Sequence, residues 1–144
     1  MNIERIERRE NKRVFFAVEE NVGLMVKLAR KMGKSFPGIL LTLSTGGFSI
    51  AADKKRKKNV QEGDVMMIAR LHLPGSSAAI TGIEAEVKHI LYFEKMDRIT
   101  IGCELKKMPD RIKEQIEAFI DKRIQSESDA LQEKERSDRE FSVP

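Results

Sequence analysis

Six residues near the start of the chain gather donors suited to anions: Arg8-Arg9-Glu10-Asn11-Lys12-Arg13. Guanidinium groups present planar forks of N–H donors that match phosphate oxygens and the O6/N7 edge of guanine. Arg9 and Arg13 form an R-x-x-x-R pair directly before the apolar run Val14-Phe15-Phe16-Ala17-Val18. On an extended segment the two stand roughly 13 Å apart, a span suited to gripping both ends of a folded dinucleotide. Arg5 and Arg9 share the spacing, but Arg13 abuts the first apolar run and can be held against a fold. A solvated basic arm accounts for the same residues.

A second cluster is Thr42-Leu43-Ser44-Thr45-Gly46-Gly47. On a strand, Thr42 and Ser44 share one face and Leu43 takes the other. The glycines permit a tight turn and a close approach of backbone to a ligand. Two hydroxyls beside exposed backbone N–H groups suit a base edge or a phosphate; they also suit an ordinary hairpin turn.

Other chemistry is thin. His72 and His89 have no Cys or Asp at metal-ligand spacing, so no metal is expected. Cys103 reads as a core residue, Glu84 and Glu86 as a solvated face. No Gly-rich phosphate loop opens a helix, which argues against nucleotide hydrolysis. No catalytic residue, enzyme activity or cofactor is expected. Lys54-Lys55-Arg56-Lys57-Lys58 puts five bases in a row. That run suits a solvated hairpin tip first, and a nucleic-acid or anionic-membrane contact second.

The elements that must position these clusters are mostly strands. Ile39, Leu41 and Leu43 alternate with Leu40, Thr42 and Ser44, which predicts a strand with the first three on the core. Phe48 and Ile50 continue in a partner strand. Further strands are expected over Leu24–Ala29, from Met66 to Leu71, from Ile80 to Tyr92 and from Arg98 to Leu105. Residues 31–38 are expected to form a loop, and 53–59 a polar hairpin. Pro109 suits the first turn of a helix. Ile112, Ile116, Phe119, Ile120 and Ile124 then share one helical face. The expected organisation is a basic arm over 1–13, about six short strands with a closing helix over 14–125, and a polar, partly disordered tail over 126–144; the strands suggest a small barrel, though alternation alone fits a sandwich as well.

The 144 residues allow one domain with its own core. The net charge is +4, but six acids and three bases from Ser126 onward leave a basic body. Such a body suits an anionic partner. No apolar run is long enough to span a bilayer, and the charged start lacks the apolar core of a signal peptide. A cytoplasmic location is the expectation, and the lone Cys103 agrees with a reducing compartment.

In order and spacing, the clusters resemble the PilZ domain family, whose signature is R-x-x-x-R followed about thirty residues later by D/N-x-S-x-x-G. Arg9-Glu10-Asn11-Lys12-Arg13 matches the first part. Thr42-Leu43-Ser44-Thr45-Gly46-Gly47 matches the second at Ser44 and Gly47, with Thr42 in place of the acid or amide. Gln61-Glu62-Gly63-Asp64, Glu86-Val87-Lys88-His89 and Ile101-Gly102-Cys103-Glu104-Leu105 extend the resemblance over about residues 8 to 125. The resemblance implies a six-stranded antiparallel β-barrel with one C-terminal helix. It also implies a bacterial receptor for the second messenger cyclic di-GMP that signals to a protein partner in motility, biofilm or surface-polysaccharide control. Ligand contacts carried over are Arg9, Arg13, Ser44 and Gly47, with Thr42 weakened and Arg8 as an added guanidinium. A degenerate scaffold working by protein contact, and a nucleic-acid-binding barrel, are the rival readings.

Overall fold

The computed structural model describes residues 12–30, 34–76 and 79–142, with side chains to 136. Seven strands make one antiparallel sheet: β1 (Arg13–Phe15), β2 (Gly23–Leu28), β3 (Ser35–Ser44), β4 (Gly47–Asp53), β5 (Val65–Leu71), β6 (Ile83–Tyr92) and β7 (Arg98–Lys107). Helix α1 (Asp110–Ser142) follows. β3, β2, β5, β6, β7 and β4 form a ring, closed by the β3–β4 ladder. This is the expected six-stranded barrel.

The seventh strand is half of a stave. β1 and β2 both run antiparallel to β3 along the same edge, β1 against Thr42–Ser44 and β2 against Ser35–Ile39. A single 3-10 turn at Val18–Glu20 interrupts them. Arg13, expected at the end of a free arm, is the first residue of β1 and part of the wall.

Strand β3 departs from simple alternation. Its register against β4 shifts between Leu40 and Thr42, a β-bulge at Leu41. One extra residue reverses the facing of everything before it. Leu40 and Leu43 are therefore the fully buried residues, while Ile39 and Leu41 are half-buried. The expectation that Ile39, Leu41 and Leu43 share the core face fails for this reason. The strand also starts at Ser35, inside the expected loop. Pro37 is tolerated there because the ladder to β4 begins only at Ile39, so β3 has a neighbour on one edge.

The five-base run is a 3-10 helix over Lys54–Lys58, where a polar hairpin was expected. Asp53 caps it by accepting from the Lys55 N–H at 2.9 Å.

The barrel interior is filled by Val14, Val26, Leu40, Leu43, Ile50, Met66, Leu71, Ile83, Ile99 and Ile101. Ile112, Ile116 and Ile120, one helical face at four-residue spacing, join the same core. Phe119 stacks on Phe16 at 6.1 Å between ring centroids. Beyond Ile124 the helix continues without a break to Ser142. Neither Gly nor Pro occurs between 110 and 142, and Arg123–Glu127 and Gln125–Asp129 pair one turn apart. Among the described residues no helix is long and apolar enough to cross a membrane.

Cys103 is buried in the core with its Sγ 3.9 Å from Met66 Sδ. Burial pushes its thiol from an ordinary 9.0 up to about 12. The thiolate is the reactive form, so its population near neutral pH falls about a thousandfold for three pKa steps. A thiol reagent at pH 8 is expected to leave the native protein unlabelled and to label it once denaturant is added. Rapid native labelling, timed by mass spectrometry, would contradict the buried placement.

Candidate functional site

Arg13 and the Thr42–Gly47 cluster meet on the outer face of the barrel. Arg13 pairs with Ser44 and Phe15 with Thr42 across β1 and β3. Thr42 pairs in turn with Ser49 on β4, and Ser49 with Gly102 on β7. Directly opposed residues point to the same side of a sheet. Arg13, Thr42, Ser44 and Ser49 therefore line one concavity of about 410 Å³, completed by Lys88, His89, Gly102 and Glu104. A larger hollow of about 560 Å³ lies further along the wall, lined by Met25, Pro37, Ile39, Arg70 and Arg98, without the motif residues. Volume favours the second; convergence of hydroxyl, guanidinium and amine groups favours the first.

The Ser44–Gly47 corner is built differently from the sequence expectation. Ser44 is only 4% exposed. Its Oγ accepts from the N–H groups of Gly46 and Gly47, at 3.2 and 3.1 Å, and its hydroxyl donates to the Gly47 carbonyl at 3.2 Å. The N–H groups expected to be open to a ligand are thus satisfied inside the turn. Ser44 holds the corner shut. Gly47 is needed for packing: a Cβ there would collide with the Cys103 carbonyl oxygen on β7. Thr42 is half-buried, and its Oγ1 lies 2.7 Å from Ser49 Oγ in a shared hydrogen bond.

Arg13 is exposed at the rim of this floor. Its neighbour Lys12 reaches α1, where Nζ lies 3.2 Å from Asp121 Oδ1. A second tie runs from α1 to the first stave. Arg123 donates to the Phe15 carbonyl at 3.1 Å and to both Glu20 carboxylate oxygens at 2.7 and 2.8 Å. Its guanidinium also lies 4.4 Å from the Phe16 ring centroid. Arg123, together with the Ala17 N–H, holds the Glu20 carboxyl below its ordinary range. A depressed carboxylate contributes stability above its ordinary pKa and loses it as pH falls through the lowered value. The clamp thus holds at neutral pH and opens in acid.

The sequence reading missed Ser49, Lys88, His89, Gly102 and Glu104 on the lining, and one neighbour. A bulge between Val87 and His89 turns both Lys88 and His89 outward. His89 then lies across Gly102, where any side chain would collide with its imidazole. Lys88 Nζ sits 2.6 Å from Glu86 and 3.3 Å from Glu104, which also pairs with Lys106 at 3.1 Å. Lys88 lowers the Glu86 carboxyl; Lys106 first, then Lys88, lower that of Glu104. Phe15, beside Arg13 on the same strand face, leaves 66% of its surface exposed. The signal for Lys88 and His89 was the broken period-2 pattern at Val87-Lys88-His89-Ile90. Ser49 and Glu104 carried none. Arg8 and Arg9 lie outside the described residues.

Solved structures share this barrel. The inhibitor of motility MotI/DgrA of Bacillus subtilis superposes with a TM-score of 0.62 at 16% identity, over 83% of this chain and 52% of its own. The MrkH–c-di-GMP complex of K. pneumonia gives 0.61 at 18% identity, over 85% and 55%. The PilZ domain of YcgR from Escherichia coli, with c-di-GMP, gives 0.59 at 16%, over 94% and 99%. This chain therefore spans about half the length of MotI/DgrA and MrkH, and all of the YcgR domain. No curated protein matches the sequence. The PilZ domain family matches residues 7–122, most of the chain and both motifs, so the protein belongs to the PilZ domain family.

Proposed function

We propose that this chain is a receptor module for cyclic di-GMP. One observation carries the reading: Arg13 stands directly across from Ser44, at the rim of a floor whose shape Ser44 and Gly47 fix. A second guanidinium, Arg9, precedes it by four residues, and Arg8 by five. Two such forks suit the two phosphates and guanine edges of the ligand. Ser44 and Gly47 serve by shaping the surface on which the ligand rests. Phe15 offers a flat ring to a purine. MrkH and the PilZ domain of YcgR, which share the barrel, have been solved with c-di-GMP.

Thr42 is the departure. A carboxylate or amide there would accept from the guanine N–H groups, whereas the threonine hydroxyl is already bonded to Ser49. Glu104, two strands away on β7, lines the same concavity with its carboxylate paired to Lys88 and Lys106.

The function is non-catalytic. Ligand contacts hold the Arg13 side chain over the wall, and Lys12–Asp121 and Arg123–Glu20 pass that restraint to α1. A protein partner then reads the helix, in the control of motility, biofilm or surface polysaccharide. The ligand's role as a second messenger places the receptor in the cytoplasm.

A second reading, a PilZ scaffold acting by protein contact alone, draws on Thr42, which shares its hydroxyl with Ser49 and offers no carboxylate or amide to a guanine edge. Calorimetric titration with cyclic di-GMP separates the two. The receptor reading expects saturable heat, and Thr42→Asp is expected to tighten binding by about tenfold or more, one charge-assisted hydrogen bond. Silence from both proteins at high micromolar ligand leaves only the scaffold.

A further inference from the structure

The far end of the β4–β7 pair carries a surface that the proposed site does not use. We infer that it is a docking surface for an anionic membrane, and this stands whether or not the chain binds a nucleotide.

The hairpin between β6 and β7 turns at Phe93–Met96, closed by Met96 N–H to Phe93 C=O at 2.9 Å. Its side chains are bare: Phe93 is 60% exposed, Met96 52% and Leu91 48%. Three large apolar groups bare on one hairpin, rimmed by charge, mark an interaction surface. The 3-10 turn Lys54–Lys58 lies against the base of this hairpin on both sides. Lys54 N–H donates to the Asp97 carbonyl at 3.0 Å on one side. Lys57 Nζ sits 3.9 Å from the Tyr92 ring centroid on the other. Arg56 is pinned over Phe36 at 5.2 Å. The basic turn is thus fixed in place beside the apolar tip.

Charge singles out the occupant. Seven bases lie in 53–58 and 93–98, against three acids. Two of those acids are engaged within the patch: Asp53 caps the turn and Asp97 pairs with Lys54 at 3.7 Å. An apolar tip collared by lysines matches a bilayer with anionic headgroups. Phe93 and Met96 enter the acyl boundary while the amines reach lipid phosphates. A nucleic acid would use the collar but leave Leu91 and Met96 without a role, since neither stacks on a base. The patch begins at Asp53, four residues along β4 from Ser49 and roughly 13 Å from the motif floor, so both surfaces can be occupied together.

The test is co-sedimentation of the full chain with vesicles of phosphatidylcholine alone, or with about a third phosphatidylglycerol. Sedimentation is expected with the second only, and should weaken as salt rises. Phe93→Ser with Met96→Ser should cut partitioning by about tenfold. Lys55→Glu with Lys58→Glu should abolish it. All four side chains are exposed, and unchanged circular dichroism confirms folding. Equal sedimentation with neutral vesicles, none with anionic ones, or undiminished binding by the serine variant overturns the proposal. Binding to a DNA oligonucleotide without vesicle binding would reassign the surface to nucleic acid.

Discussion

Replacing Arg13 by alanine is expected to weaken cyclic di-GMP binding ten- to a hundred-fold while leaving the barrel intact. Hydrogen bonds to charged groups contribute about 1.5–3 kcal/mol each, and about 1.4 kcal/mol is a decade of affinity. The fold does not depend on this side chain. Arg13 is exposed, has no ion pair among the described residues, and holds β3 through its backbone. Calorimetry should show the loss, and urea melts should superpose with those of the parent. Arg9→Ala is expected to behave alike, because on the receptor reading the two guanidiniums grip one ligand. Undiminished binding by both variants would remove the receptor reading, whereas a lowered melting point for Arg13→Ala would make this a structural residue.

Gly47→Ala should produce a large loss of stability for a single added methyl. The new Cβ meets the Cys103 carbonyl oxygen. That atom is backbone on the adjoining strand and cannot rotate aside. β4 must then part from β7 along the ladder from Gly47–Glu104 to Asp53–Arg98. Overpacking of this kind costs about 1–3 kcal/mol, and the rigid obstacle places Gly47 at the upper end. Gly23→Ala is the control, because nothing lies within 4 Å of its added Cβ. There alanine is expected to be neutral, or stabilising by about 0.4–1 kcal/mol through the unfolded chain. Equal urea midpoints for the two variants would refute the packing account.

Much of this was legible because strands and helices announce themselves by period. The helix face of Ile112, Ile116 and Ile120 follows from spacing alone, and the two motifs were visible as donor clusters on either side of apolar runs. What failed did so for local reasons. Leu40 displaced Ile39 and Leu41 from the core because a bulge inside the all-leucine-and-isoleucine run Ile39-Leu40-Leu41 leaves no break in the apolar pattern to mark it. Lys88 and His89 joined the concavity through a second bulge. Ser44 was identified by type and place, but its hydroxyl turned out to be spent on the turn, a matter of three hydrogen bonds that composition does not encode. Lys54–Lys58 became helical because Asp53 caps it and two rings hold its cations.

The unbroken run of α1 has a mechanical consequence. Its inner turns are seated by isoleucines, the side chains from Gln125 to Arg136 are exposed, and the helix runs on to Ser142. Eighteen residues at about 1.5 Å each make an arm of roughly 27 Å. A tilt of about ten degrees at the seated end sweeps the free tip through roughly 5 Å. A displacement too small to disturb the barrel thus becomes, at the far end, a movement as wide as a helical turn.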